Sequence, residues 1–154
     1  MNFDFDNINM NIKNKTYRLI GVGSGRLVYD MGNEYVVKAA KNKRGIVQNK
    51  EEHQIASMVH NNIFAKVIAT SEDFNYLIME KAEKINNISE VWNYYSVKNN
   101  RELFELEQFS QLTTKYNLLY HDLFRCNSWG LIKGKPVIID FGFTKEVMRY
   151  YRFF

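Results

Sequence analysis

The 154 residues are 45% hydrophobic and 25% charged, a mix that suits one globular domain with its own core and excludes disordered, fibrous and disulfide-stapled classes. A formal net charge of +4 favours an anionic ligand without identifying it. Cys126 has no internal disulfide partner, and there is neither a signal peptide nor an apolar run near the roughly 18 residues of a membrane span, so we expect a cytoplasmic protein with no membrane partner.

The first half of the chain is predicted to form an antiparallel sheet with one helix. Residues 1 to about 14 are polar and Asn-rich, which predicts a flexible or loosely docked arm. An uneven apolar stripe over 45–59 predicts the helix. Five short β-branched and aromatic runs, separated by turn residues, predict strands at 17–20, 26–29, 34–38, 64–70 and 76–80.

The second half is predicted to be mainly helical. Residues 88–95 and 101–116 are the two helical segments, the second with apolar residues at steps of three and four. Two further runs, 129–132 and 136–139, predict a hairpin. We expect no second domain.

Polar residues flank this hairpin, two of them in an acidic loop before it and one directly after it. Asp122 and Asn127 lie five residues apart, and Asp140 follows the apolar run 137–139. Three oxygen-bearing side chains directed at one volume suit Mg²⁺ and a hydroxyl awaiting deprotonation. The alternative is a pair of ordinary Asx turns beside a buried hairpin.

A glycine-rich turn follows the first predicted strand, at Gly21 and Gly23. A Rossmann turn would lead into a helix, whereas this one leads into another strand, and no Gly-Lys-Ser/Thr sequence supports a P-loop. A hairpin lid whose backbone can approach phosphate therefore fits, as does a plain β-turn.

Lys38 lies one strand beyond this turn, on the strand face that it shares with Val36. A lysine that reaches phosphate from there needs an anion to hold it. Glu52 is the predicted partner because it falls on the inward face of the helix, with Glu51 as the second candidate. The alternative for all three is solvated surface charge.

Taken in order, these segments resemble the protein-kinase fold, including its RIO-type and aminoglycoside-phosphotransferase-like relatives, from about residue 17 to 145. The resemblance implies an α+β, two-lobed, single kinase-like domain. Its N-lobe, 15–82, would hold a five-stranded antiparallel sheet and one helix, and its reduced helical C-lobe would span 83–154. The matching motifs are 21–29, 36–38, Glu52, 77–80, 120–127 and 140–142.

The resemblance also implies a role for each matching residue. The loop of Gly21, Val22, Gly23 and Ser24 would cover the phosphates of ATP, with Val28 beside it and Lys38, held by Glu52, on the α and β phosphates. Met79 would lie behind the adenine, and the backbone of Glu80 and Ala82 would hydrogen-bond it. Asp122 would be the catalytic base, and Asn127 and Asp140 would hold Mg²⁺.

Several features depart from the family. Arg26 replaces the third loop glycine and adds a positive charge that could meet phosphate. Tyr120 and His121 stand where the family commonly has His and Arg, so we expect no regulation through a phosphorylated activation loop. Residues 143–154 are all that follows the last motif. The aromatic and basic tail, 148–154, a homodimer or another partner is expected to cover the truncated lower lobe, and a packed C-terminal helix is the plainer interpretation of the tail.

The leading functional hypothesis is a minimal ATP- and Mg²⁺-dependent protein kinase that acts on Ser or Thr hydroxyls of a protein or of itself. An ATP-binding pseudokinase or regulatory module is the second hypothesis, and a small-molecule kinase is the third. A nucleic-acid partner is not expected, and His53, His60 and Cys126 are assigned structural roles.

Overall fold

The computed structural model describes residues 2–59 and 61–152, which form an α+β protein. The chain divides into two compact units. The first holds the residues up to Ser57 together with Lys66–Lys81, and the second holds Met58–Ala65 and the residues from Ala82 onwards. The second unit resumes at Ala82, and it also holds 58–65, a segment that the sequence analysis placed in the N-lobe.

The first unit is a five-stranded antiparallel sheet in the order β1-β2-β3-β5-β4, with two helices. The predicted sheet and its helix are therefore confirmed. The elements are α1 Phe5–Lys13, β1 Arg18–Val22, β2 Arg26–Asp30, β3 Tyr35–Ala40, α2 Lys43–Met58, β4 Val67–Thr70 and β5 Tyr76–Glu80.

Helix α1 corrects the prediction of a flexible arm over residues 1 to about 14. The Asp4 side chain caps the helix by accepting from the Asn7 amide at 3.1 Å. Ile8 packs with Val37 and Ile78 in a buried cluster on one face of the sheet. The many asparagines of this segment hide its helical apolar spacing, and burial of that stripe outweighs their weak helix propensity.

Strand β3 is consequently buried on both faces. Val37 faces the cluster with α1, whereas its neighbour Lys38 alternates to the face covered by α2. Val36, Val37, Lys38 and Ala39 are all buried. A charged residue in the middle of such a strand must find a partner there.

The second unit combines short helices with a three-stranded sheet in the order β6-β7-β8. Its predicted hairpin is confirmed, with Trp129 paired to Ile138. The elements are β6 Glu83–Lys84, α3 Ser89–Tyr94, α4 Asn100–Glu105, α5 Glu107–Ser110, α6 Leu112–Lys115, α7 Tyr120–Leu123, a 3₁₀ turn at Cys126–Ser128, β7 Trp129–Ile132, β8 Lys135–Ile138 and α8 Lys145–Arg152.

The single helix predicted over 101–116 is wrong, because the chain forms three short helices there. Leu106 has extended backbone angles, φ −62° and ψ 141°, which interrupts the helical hydrogen bonding between α4 and α5. The apolar residues still reach the core, since Leu103, Phe109 and Leu112 are buried. Burial of the stripe by several short turns satisfies the same spacing that predicted one helix.

The C-terminal segment is helical, as the plainer interpretation of the tail predicted. Val147 of α8 is fully buried, and its amide donates to the Thr144 hydroxyl at 3.3 Å. Phe153 and Phe154 of the predicted tail, and His60, lie outside the described residues. Among the described helices none combines the length and hydropathy that a membrane crossing requires.

Candidate functional site

The glycine-rich turn joins β1 to β2, and the segment before α2 holds it in place. The Lys41 amide donates to the Gly25 carbonyl at 2.8 Å, and its ammonium donates to the Gly23 carbonyl at 3.1 Å. The Asn42 side chain donates to the Ser24 carbonyl at 3.2 Å. Three successive carbonyls of the turn are thus bound from one side, which fixes its backbone.

Strand register brings the turn and the predicted lysine into one row. Gly21 pairs with Val28, and Val28 pairs with Lys38. Directly paired residues in an antiparallel sheet project from the same face. The first unit therefore places these three predicted residues side by side, while Val22, one step along β1, is 69% exposed.

Glu52 on α2 holds Lys38, as the sequence predicts. The lysine ammonium donates to the two Glu52 carboxylate oxygens at 2.9 and 3.0 Å. Both side chains are buried, so the alternative of solvated surface charge is wrong for this pair. Glu51, the second candidate, is only half-buried.

Arg26 binds the same carboxylate, which sequence reasoning missed. Its guanidinium donates to the two Glu52 oxygens at 2.6 and 3.2 Å and is itself buried. Burial alone would raise the pKa of Glu52, but the charges of Arg26 and Lys38 and their hydrogen bonds lower that pKa from 4.5 to about 2. Glu52 is therefore ionised at neutral pH.

The predicted adenine-contacting residues lie at the end of β5. Met79 is buried, and the Glu80 amide already donates to the Lys66 carbonyl at 2.9 Å. That amide is consequently engaged within the sheet. Ala82, the third predicted contact, belongs to the second unit.

In the second unit, the acidic loop is built on α7 and the 3₁₀ turn. The Ser128 hydroxyl donates to the Asp122 carbonyl at 2.5 Å, and the Trp129 indole donates to the Leu123 carbonyl at 2.7 Å. Leu123 and Trp129 are each only 1% exposed. These anchors fix the backbone that carries Asp122.

One backbone bond brings Asn127 and Asp140 to the same end of the hairpin. The Ile139 amide donates to the Ser128 carbonyl at 2.8 Å, and the two predicted metal ligands are the residues next to this pair. Phe141, the residue after Asp140, is buried and packs against Phe64 with ring centroids 4.7 Å apart.

Asp122 is half-buried and electrostatically strained. Burial raises the pKa of its carboxyl, and the negative charge of Asp140 raises it further, while Arg125 and His121 oppose the shift. Ser128 hydrogen-bonds the Asp122 carbonyl and the Ile139 amide, which brings the residues that carry these two carboxylates close together. A carboxylate with a raised pKa is a stronger base than a solvated one, which suits it to accept a proton.

The donor sets fit the two groups that the sequence predicts. A fixed ammonium beside a turn with little side-chain bulk suits nucleotide phosphates, and an amide with a carboxylate oxygen suits a hard divalent cation. Within residues 2–59 and 61–152, no group of three or more His, Cys, Asp and Glu side chains is placed so that it could hold a metal ion.

Comparison with solved structures identifies the architecture. A structure of the aminoglycoside phosphotransferase APH(2″)-IIa in a ternary complex with streptomycin and ATP matches with a TM-score of 0.51 and 18% identity, over 92% of this chain and 72% of that chain. The chain has a protein-kinase-like fold. No family model and no curated protein matches the sequence.

Two further structures resemble this kinase-like chain. APH(2″)-IIa with gentamicin has a TM-score of 0.48 and 17% identity over 92% of this chain and 71% of that chain. ADP-bound APH(2″)-Ib has a TM-score of 0.48 and 16% identity over 90% of this chain and 69% of that chain. The likeness to the first structure, at 18% identity, establishes the fold alone, and the roles of the site residues stay predictions.

Proposed function

We propose that this protein is an ATP-dependent phosphotransferase that transfers the terminal phosphoryl group of ATP to a hydroxyl. The observation that supports this most is the buried ion pair of Lys38 with Glu52, in register with the glycine-rich turn. A buried charge is costly, and a fixed ammonium in that position serves an anionic ligand better than it serves stability.

The residues of the first unit would bind the nucleotide. Lys38 would contact phosphate oxygens while Glu52 holds it, and Gly21 and Gly23 would let the backbone approach them closely. Met79 would lie against the adenine. Because the Glu80 amide is engaged with Lys66, Glu80 would offer its carbonyl oxygen to the base.

The residues of the second unit would act on the acceptor. Asp122 would orient the acceptor hydroxyl and take its proton, a role worth roughly 10²–10⁴ in rate for a general base. Asn127 and Asp140 would hold Mg²⁺. The metal, when bound, would offset negative charge on the transferred group.

Two classes of acceptor follow from different observations. The sequence motifs favour Ser or Thr hydroxyls of a protein, the chain itself included. The likeness to APH(2″)-IIa, solved with streptomycin and ATP, favours a small-molecule alcohol. The lone cysteine, Cys126, is a free thiol and is consistent with the cytoplasm as the proposed compartment, where ATP is available.

The test is incubation of the purified chain with γ-labelled ATP and Mg²⁺, alone and with a generic protein substrate, streptomycin or gentamicin. We expect label on one acceptor class, and loss of that label in Asp122→Asn. Asp6→Asn, which alters an exposed carboxylate of α1, is the matched control and should transfer normally.

Transfer to none of these acceptors would contradict the proposal. A rise in melting temperature with ATP and Mg²⁺ but no transfer would instead support the pseudokinase, because a ligand that binds only the folded state raises apparent stability.

A further inference from the structure

Arg26 is the most deeply buried arginine among the described residues, and it stands where the resemblance leads one to expect a loop glycine. Only 6% of the residue is exposed. Arginine is rarely buried unless it is paired, so its contacts define what it does in the fold.

The Arg26 guanidinium binds the same Glu52 carboxylate as Lys38. One nitrogen donates to Oε1 at 2.6 Å and the other to Oε2 at 3.2 Å, a two-pronged contact that fixes the plane of the carboxylate. Lys38 donates to the same two oxygens. Because a carboxylate held by a planar fork cannot rotate freely, the position of the Lys38 ammonium depends on Arg26.

Asn49 links the same groups through α2. Its side-chain oxygen accepts from Arg26 at 3.1 Å, and its side-chain nitrogen donates to the Phe74 carbonyl at 2.8 Å and to the Lys38 carbonyl at 3.4 Å. Asn49 is completely buried. Helix α2 therefore contacts β2 and β3 through one connected polar network that contains both cations.

Arg26 also forms the end of the glycine-rich turn. Its carbonyl accepts from the Gly23 amide at 2.8 Å, which closes the turn between β1 and β2. Gly25, the residue before it, packs so closely on Gly45 of α2 that a Cβ there would lie 2.9 Å from the Gly45 nitrogen. The residue that grips Glu52 thus belongs to the same rigid piece as the turn.

We infer that Arg26 is a positioning residue, which fixes Glu52 so that Lys38 and the glycine-rich turn are held in place before a nucleotide arrives. The inference rests on the proposed function and adds a residue to it. Arg26 acts through Glu52 and Lys38, so its removal slows the transfer step more than it weakens ATP binding.

The experiment compares Arg26→Met and Arg26→Lys by release of labelled phosphate from γ-labelled ATP with Mg²⁺, water being the acceptor. Arg18→Met and Arg18→Lys are the matched controls, because Arg18 lies on the adjacent strand with 79% of its side chain exposed. Circular dichroism first establishes a temperature at which each variant is folded.

We expect Arg26→Met to lower kcat at least tenfold while KM for ATP changes less than threefold. Arg26→Lys keeps a buried cation but loses the fork, so its kcat should lie between that of the natural chain and that of Arg26→Met. Both Arg18 variants should match the natural chain. In a Glu52→Gln background, Arg26→Met should lower kcat no further, because the group through which it acts has already been changed.

Other outcomes would overturn the inference. A KM that rises as much as kcat falls, with additive loss in the double variant, would mean that Arg26 binds phosphate itself. An unchanged kcat in Arg26→Lys would show that the fork has no positioning role, even if Arg26→Met fails to fold. A natural chain that neither releases phosphate nor labels any of the acceptors named above would overturn the proposed function and this inference with it, whereas normal turnover by both Arg26 variants, with water or with the labelled acceptor, would overturn this inference alone.

Discussion

Each of the two units contains a carboxylate that is at least partly buried, and the pKa values of these two carboxylates are shifted in opposite directions. Glu52 in the first unit is surrounded by cations, which lower its pKa to about 2. Asp122 in the second unit is half-buried near another carboxylate, and both burial and Asp140 raise its pKa. The neighbours of Glu52 stabilise its ionised form, whereas the surroundings of Asp122 destabilise its ionised form.

The two pKa shifts suit different roles, a fixed counter-charge for Glu52 and a proton acceptor for Asp122. A carboxylate with a lowered pKa is a weak base and serves as a fixed counter-charge, which suits Glu52 to hold Lys38. A carboxylate with a raised pKa gains by taking up a proton, which suits the predicted role of Asp122. The contrast follows from the neighbours of each group and can be tested on each unit separately.

The largest effect is expected from removal of the charge of Glu52. Glu52→Gln would leave Arg26 and Lys38 buried without their counter-charge, and breaking a buried pair in this way costs about 3–5 kcal/mol. The free energy of unfolding, measured by urea denaturation at neutral pH, should fall by that amount. Glu51→Gln, at the half-buried neighbouring position, is the control, and a similar loss in both variants would contradict the assignment.

The acid dependence of stability should come next in size. Because the pKa of Glu52 is lowered from 4.5 to about 2 in the folded chain, its contribution is present above about pH 4.5 and is lost as the pH falls towards 2. A pKa unit corresponds to about 1.4 kcal/mol, so the loss is on the order of 3 kcal/mol. Urea denaturation across this window should show a shallower pH dependence in Glu52→Gln than in the natural chain.

Asp122→Asn should change the stability of the folded chain in the opposite direction to Glu52→Gln. A carboxyl whose pKa is raised in the folded state contributes stability at low pH that is lost as the pH rises through the folded value. At neutral pH the neutral amide should therefore stabilise the protein, by less than about 1 kcal/mol because the side chain is half exposed to screening solvent. Calorimetric melting should show a higher Tm in Asp122→Asn, and a lower Tm would contradict the strained environment.

The smallest effect concerns the coupling of the two acidic residues in the second unit. Asp140→Asn removes a like charge and should lower the pKa of Asp122 without removing the whole upward shift, since burial is the larger cause. Carbon-detected NMR titration of the aspartate carboxyls measures this directly. The same replacement at Asp73, in the first unit, should leave the Asp122 titration unchanged.

Most of the sheet was predictable, because its strands alternate and are separated by turn residues. The pairing of Lys38 with Glu52 was also predictable, since strand alternation and helical spacing place both on inward faces. Asp122, Asn127 and Asp140 were brought to one end of a hairpin that the sequence marks clearly.

Apart from Glu52, the polar interior of α2 could not be predicted from apolar spacing. Its buried face consists of Gly45, Gln48, Asn49, Glu52 and Ile55, so hydrophobic residues mark only one position of a complete helical stripe. The contact of Arg26 with Glu52 was missed for the same reason, because a buried arginine is recognised only once its carboxylate is known. The spacing 45, 48, 49, 52 of small and polar residues was the one available signal.

The contact between Gly25 and Gly45 has a consequence for how this chain can vary. Two backbones meet there without room for a methyl group, since a Cβ on Gly25 would approach the Gly45 nitrogen to 2.9 Å and the Gln48 side-chain oxygen to 2.6 Å. In a library that randomises residues 25 and 45, nearly every variant with a side chain at either position should fail to fold, whatever the chemistry of that side chain. Tolerance at Gly32, where a Cβ would meet nothing within 4 Å, would be limited instead by its φ of +80°.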